Sequence, residues 1–241
     1  MSARAAQPIG PDEGIDRGRP GSSARAEFER RQQADDRHRQ EVFGRFLAPL
    51  VKAVAGERHA TTAWNRGGRA EEKVGHYLSR EVGLNGLVLH DRAVPASRGN
   101  IDHIAIVPSG VWIIDTKQYS GRVQQRSAGG WFVSRPVLFV NGRDRSSLIP
   151  AVLRQVAQVE KHVAADVPLH AALCFSDSEW GLLGRPFVID GVHITWAHQL
   201  AGLLDEPGPL TVNTIRQLGA GIASTFPTYA PAGTSHSPTG A

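Results

Sequence analysis

The chain has 241 residues, 41% of them hydrophobic, which suffices for one full-sized core with further segments to spare. Its 27 basic and 23 acidic residues leave a net charge of +4, a mild excess that does not by itself call for nucleic acid. No apolar run reaches the ~18 residues of a membrane span, the N-terminal residues lack the apolar run of a signal peptide, and the one cysteine, Cys174, excludes an intrachain disulfide framework and a cysteine-based zinc cluster. The expected address is a reducing cytoplasm, with no membrane partner.

Residues 1–21 are rich in Gly, Pro, Ala and charge without periodic apolar positions, and are expected to be disordered. Residues 22–60 form a helical extension, which Ser22 or Ser23 can cap; its charges are of both signs. In its second half Val42, Phe43, Phe46, Leu47 and Leu50 recur at helical spacing, so this part is a candidate for self-association. A globular domain is expected over 63–224. It opens with a helix from Gly68 to Arg80, followed by a short strand at Leu87–His90. Two apolar runs, Ile101–Val107 and Val111–Thr116, flank Pro108-Ser109-Gly110 and predict a β-hairpin. Strand material follows at Trp131–Val140, then a helix at Leu148–Val163, strands at Ala171–Phe175 and Val192–Ile194, and helices at 197–204 and 211–223. The tail, 225–241, is expected to be disordered. This order is mixed α/β, and the absence of Gly-x-Gly-x-x-Gly and Walker loops argues against a nucleotide-binding doubly wound fold.

Charges interrupt the two hairpin strands. Asp102 stands near the start of one, and Asp115 and Lys117 at the end of the other. Isolated buried charges cost several kcal/mol unless a partner, a metal or water compensates them. If Pro108-Ser109 is a two-residue turn, Val107 faces Gly110 and Asp102 falls opposite Asp115 on one face of the sheet. Lys117, two residues on, shares that face. Two carboxylates this close repel, and a hard divalent cation, Mg²⁺ or Mn²⁺, would resolve the conflict. The alternative is a structural ion pair at a sheet end. His103 and Gln118 are expected on the opposite face, and Cys174 and Trp112, Trp131, Trp180 and Trp196 in the core.

Three blocks of residues together resemble the nuclease-related domain (NERD) family. They are Trp64-x-Arg66-Gly67-x-x-Ala70-Glu71-Glu72-x-Val74, then Asn100-Ile-Asp102-His103 with Gly110-Val-Trp-Ile-Ile-Asp115-Thr-Lys117 and Gly121-Arg-Val, then Cys174-Phe-Ser-Asp-Ser-Glu-Trp180 with Gly184-Arg-Pro-Phe. The likeness covers about 63–205 and departs at Ala70, where the family's usual pattern has Gly before the helix glutamate. It implies a PD-(D/E)xK, restriction-endonuclease-like fold: a central mixed β-sheet flanked by helices, here with an N-terminal helical extension. It also implies Mg²⁺-dependent (or Mn²⁺-dependent) phosphodiester hydrolysis. In that frame Glu71, Asp102 and Asp115 would bind metal, Lys117 would assist the attacking water, and Gln155 would match a helical polar residue of such sites. Glu72, about 100° away from Glu71 around the helix, is expected to be solvated.

From Lys117 to Arg154 there are seven basic residues and one acid, Asp144. Arg122, Arg126, Arg143 and Arg145 are the expected contacts to nucleic acid, DNA in the first place and RNA in the second, with little sequence specificity. The competing reading is a catalytically inactive nucleic-acid-binding or interaction module on a nuclease-like fold.

Overall fold

A computed structural model describes residues 14–27, 59–97, 99–130, 133–180 and 184–229. In chain order its elements are α1 (22–27), α2 (His59–Val82), β1 (Leu87–Ala93), β2 (Asn100–Val107), β3 (Gly110–Gln118), β4 (Val123–Gly130), β5 (Val133–Val140), β6 (Arg143–Asp144), α3 (Leu148–Glu160), β7 (Leu169–Ser176), β8 (Phe187–Ile189), β9 (Val192–Thr195), α4 (Ala197–Leu204) and α5 (Val212–Thr225). Six strands make one mixed sheet in the order β1-β2-β3-β7-β9-β8. β1, β2 and β3 form an antiparallel meander, β3, β7 and β9 run parallel, and β8 turns back on β9. The crossover from β3 to β7 carries a second, three-stranded sheet, β4-β5-β6, and then α3.

β2, β3 and β7 read as near-continuous apolar runs because helices cover both faces of the sheet. Trp112, Ile114, Ala172 and Cys174 pack with Val74 and Leu78 of α2 and Leu200 and Leu204 of α4. Ile104, Ile106, Val111, Ile113 and Leu173 pack with Val152 and Val159 of α3 and Ile215 and Ile222 of α5. Each such side chain contributes roughly 1.5–3 kcal/mol on burial. Val74, Leu78 and Val82 recur every fourth residue and set the buried face of α2, and Gly83, at φ +53, ends it. Cys174 is wholly buried, and burial pushes its thiol up to about 12. Among the described residues no helix is long and apolar enough to cross a membrane.

Two stretches expected to be disordered are packed in part. Residues 14–21 run along β1 and α2: His90 N donates to Arg17 O at 2.7 Å, and Pro20 lies against Gly75, where a Cβ would meet it at 2.5 Å. Residues 225–229 lie along the same strand, with Ala93 N donating to Pro227 O and Tyr229 N to Asp91 O, both at 2.8 Å. Arg92 ties the two stretches together. Its Nε donates to Phe226 O at 2.7 Å, and its other nitrogens reach Asp16 O and Ala223 O at 3.1 Å. This buried guanidinium satisfies carbonyls at the C-terminal end of α5, where the helix dipole favours a cation. Both stretches are held largely by polar groups on an edge strand, which composition does not reveal. The rest of those expectations, residues 1–13 and 230–241, and residues 28–58 with their expected self-association, lie outside the described residues. The opening helix also starts earlier than Gly68, at His59, and the strands β4, β6 and β8 were not anticipated.

Under α2, His90 Nδ1 and His103 Nδ1 approach to 3.0 Å, and His90 Nε2 lies 2.8 Å from Ser79 Oγ. Burial pushes His90 down to about 4, and holds His103 well below the ordinary histidine range. Both rings are therefore neutral in the folded protein at pH 7. The unfolded chain takes up a proton near pH 6.5 and the folded one only near 4, so this contribution to stability is complete above pH 6.5 and is lost as the pH falls toward 4. Urea unfolding of His90→Gln is expected to show a flatter loss of stability than the parent across that window; equal slopes would show that the pair does not titrate as described.

Candidate active site

The β2–β3 hairpin has the register expected of a two-residue turn at Pro108-Ser109, with Val107 opposite Gly110 and pairing continuing to His103 opposite Ile114. Gly110, at φ +143, is required there, because a Cβ would lie 2.5 Å from Pro168 O. The next pair would be Asp102 and Asp115, and at that point the ladder stops. Asp102 Oδ2 instead accepts the Thr116 backbone N–H at 2.8 Å, so a side chain takes the place of a strand carbonyl. On the other side, the β1–β2 ladder skips the position between His90–His103 and Arg92–Ile101, where Asp91 sits at φ +51.

Asp102 and Asp115 are both buried. Lys117 Nζ bridges the two Asp115 oxygens at 2.9 and 2.8 Å. Burial, then the charge of Asp115, push the Asp102 carboxyl up to about 7, against the pull of Lys117 and the Thr116 amide. Burial raises Asp115 as well, with Lys117 opposing. Burial would lower Lys117, but Asp115 and Asp102 outweigh it and hold the ammonium above its ordinary value. Glu71 comes from α2, one turn before the buried Val74. Burial, followed by the charges of Asp102 and Asp91, raises its carboxyl to about 9, and its Oε2 is buried without a hydrogen-bond partner. Glu71, Asp102, Asp115 and Lys117 thus share one electrostatic neighbourhood. Glu72 points elsewhere, to Arg25 and His76.

From the other side of the sheet, Gln155 on α3 donates from Nε2 to Asn100 O at 3.4 Å, and its Oε1 is buried and unpartnered. All the free acceptors here are oxygen, the donor type suited to a hard cation, and Asp115 raises the pKa of Asp102 while both raise that of Glu71. The ligands do not form a closed cage: among the described residues no three of His, Cys, Asp and Glu are gathered so as to hold a metal ion.

The expected nucleic-acid contacts separate. Arg122, Arg126 and Arg143 are exposed on or beside the three-stranded sheet. Arg145 is half-buried, its guanidinium 5.0 Å over the Tyr119 ring, and its Nε has no partner. His103 turns away from the carboxylates, as expected, into its pair with His90.

Asp91 is the neighbour that the sequence reading missed. Its Oδ2 accepts from Ser22 Oγ and Ser23 N, both at 2.5 Å, so it caps α1 from a distant strand. Its Oδ1 accepts from Asn100 Nδ2 at 2.8 Å, and Asn100 also reaches Ser23 Oγ at 3.1 Å. The available signal was an aspartate inside a strand, a residue type enriched at positive φ.

Residues 66–176 match the family model described as NERD, Nuclease-related domain. That span contains Glu71, Asp91, Asp102, Asp115, Lys117 and Gln155. No curated protein and no solved structure gives a match.

Two stability measurements check this geometry. Asp91→Ala leaves the Ser23 N–H and the Asn100 amide without their acceptor and is expected to cost about 1–3 kcal/mol in urea unfolding; an unchanged midpoint would refute the network. Glu71 keeps its proton to about pH 9 in the fold, but loses it above about 4.5 when unfolded, so it weakens the fold progressively across that interval. Chelator-treated Glu71→Gln is expected to melt higher than the parent at pH 8, with the difference shrinking toward pH 4.

Proposed function

We propose that the nuclease-related domain at residues 66–176 hydrolyses phosphodiester bonds of nucleic acid, DNA in the first place and RNA in the second, with little sequence specificity and with Mg²⁺ or Mn²⁺ as cofactor. The observation that carries this reading is the meeting of Asp102, Asp115 and Lys117 where β2 and β3 part, with Glu71 reaching the same neighbourhood from α2.

Asp102 and Asp115 would hold the cation, and Glu71, whose buried Oε2 is unpartnered, would complete the set only by moving closer, because the three carboxylates do not gather around one point in the structure. When bound, the cation supplies a Lewis acid for the phosphoryl oxygen and lowers the pKa of water. The protein's own groups do the positioning. The Thr116 amide fixes the Asp102 carboxylate, so one of its oxygens is already oriented. Asp115 keeps Lys117 charged and aimed at the site. The ammonium then stabilises negative charge developing on the phosphate and orients the attacking water. Gln155 offers a buried carbonyl oxygen from the opposite helix. Arg122, Arg126, Arg143 and Arg145 surround the crossover that leaves Lys117 and supply cations for the polynucleotide backbone.

One observation favours a second reading, a nucleic-acid-binding module without catalysis: Lys117 engages both oxygens of Asp115. In that case the pair is a closed structural ion pair.

Plasmid DNA, linear DNA and RNA incubated with Mg²⁺ or Mn²⁺, with a chelator control, separate the two. Cleavage by the parent chain is expected to fall by about 100-fold or more in Asp115→Ala and in Lys117→Ala. Equal residual cleavage in parent and variants would overturn the hydrolase reading and leave binding alone.

A further inference from the structure

β4 and β5 pair over eight positions, from Val123 opposite Val140 to Gly130 opposite Val133. The proximal end belongs to the core, through Val123, Leu138 and Val140. Farther out Val137, opposite Arg126, is still buried, but several of its neighbours are not. Gln125, Arg126 and Ser127 are consecutive and all exposed, as are Arg135 and Pro136 on the partner strand. Neighbouring residues on a strand point to opposite faces, so these runs offer polar side chains to solvent on both faces. A two-stranded ribbon is marginal by itself, and the burial of Val123, Val137, Leu138 and Val140 is what anchors this one.

The exposed end carries Arg126 and Arg135. Arg126 is opposite Val137 and Arg135 opposite Ala128, which places the two arginines diagonally on one face, about 7–8 Å apart at the backbone. Among the described residues neither is paired with a carboxylate. The Arg126 guanidinium lies 4.4 Å over the Phe139 ring and donates to Gln124 Oε1 at 3.1 Å, so it is already held in place. Asp144, opposite Phe139 on β6, feels the charge of Arg135 without an ion pair to it, and its carboxylate accepts from Ser146 N at 2.8 Å.

We infer that the β4–β5 ribbon is a docking element for double-stranded DNA, with Arg126 and Arg135 on backbone phosphates. A two-stranded ribbon fits the major groove of B-form DNA, about 12 Å wide, whereas the deep, narrow major groove of duplex RNA does not admit it. Guanidinium groups without carboxylate partners match phosphate in charge and geometry. The ribbon begins six residues after Lys117. The inference rests on nucleic acid being the partner, and not on the site being able to hydrolyse it.

The test is binding in chelator by fluorescence anisotropy, using a 20-base-pair DNA duplex, one of its single strands and an RNA duplex of the same sequence. For Arg126→Gln/Arg135→Gln, duplex DNA affinity is expected to fall about tenfold or more at low salt, and the slope of log affinity against log salt to lessen by about 2. Arg126→Lys/Arg135→Lys is expected to keep most of that slope. Arg80→Gln/Lys161→Gln, with the same charge change on other elements, is expected to bind as the parent does. Parental duplex affinity and slope in the first variant would overturn the inference, as would equal binding of single strand, RNA duplex and DNA duplex by the parent chain. Hydrolysis of bis(p-nitrophenyl) phosphate with Mn²⁺, a diester too small to need the ribbon, reads the site separately in the parent chain. No hydrolysis by the parent with ribbon-dependent binding would defeat the hydrolase reading and leave the ribbon standing.

Discussion

The hydrogen bond from the Thr116 amide to the Asp102 carboxylate joins the fold to its chemistry. An antiparallel pair ordinarily continues until a turn or an edge ends it. Here it ends because a side-chain oxygen satisfies the amide that a strand carbonyl would otherwise take. β2 and β3 then separate without leaving that donor bare, and the gap is lined by acid. Burial makes the arrangement expensive, which is why Asp102, Asp115 and Glu71 all have raised pKa values while Lys117 stays charged. Part of that cost is offset by the Lys117–Asp115 pair.

The N-terminal residues complete this region. Asp91 leaves the strand conformation and turns its carboxylate to α1 and to Asn100, whose carbonyl receives Gln155. One buried aspartate therefore links the N-terminal residues, β1, β2 and, through Asn100, α3. The basic ribbon is separate from this network: its arginines belong to the second sheet, which joins the core through Val123, Leu138 and Val140.

Most of the architecture was legible because it rests on patterns the chain displays. The hairpin register followed from Pro108-Ser109 and strand alternation; it set Asp102 opposite Asp115, whereas the pairing stops one step earlier, at His103 and Ile114. The buried face of α2 followed from Val74 and Leu78. β4 was illegible because Gln124, Gln125, Arg126 and Ser127 form a strand with no apolar face, stabilised by pairing with β5. Residues 14–21 and 225–229 were illegible because they are fixed by main-chain groups and by Arg92, which a composition argument does not count. Asp91 was missed because its role depends on contacts about 70 positions away in sequence.

The edges of the large sheet carry a consequence for self-recognition between copies of the chain. An outer strand normally offers a row of free amides and carbonyls on which a foreign strand can template. On β1, the amides of His90 and Ala93 and the carbonyl of Asp91 are already taken by Arg17, Pro227 and Tyr229. On the far side β8 is only three residues long. Runaway edge-to-edge stacking through this sheet is therefore blocked at one margin and given almost no length at the other, and a chain that lost its hold on residues 14–21 would open the longer of the two.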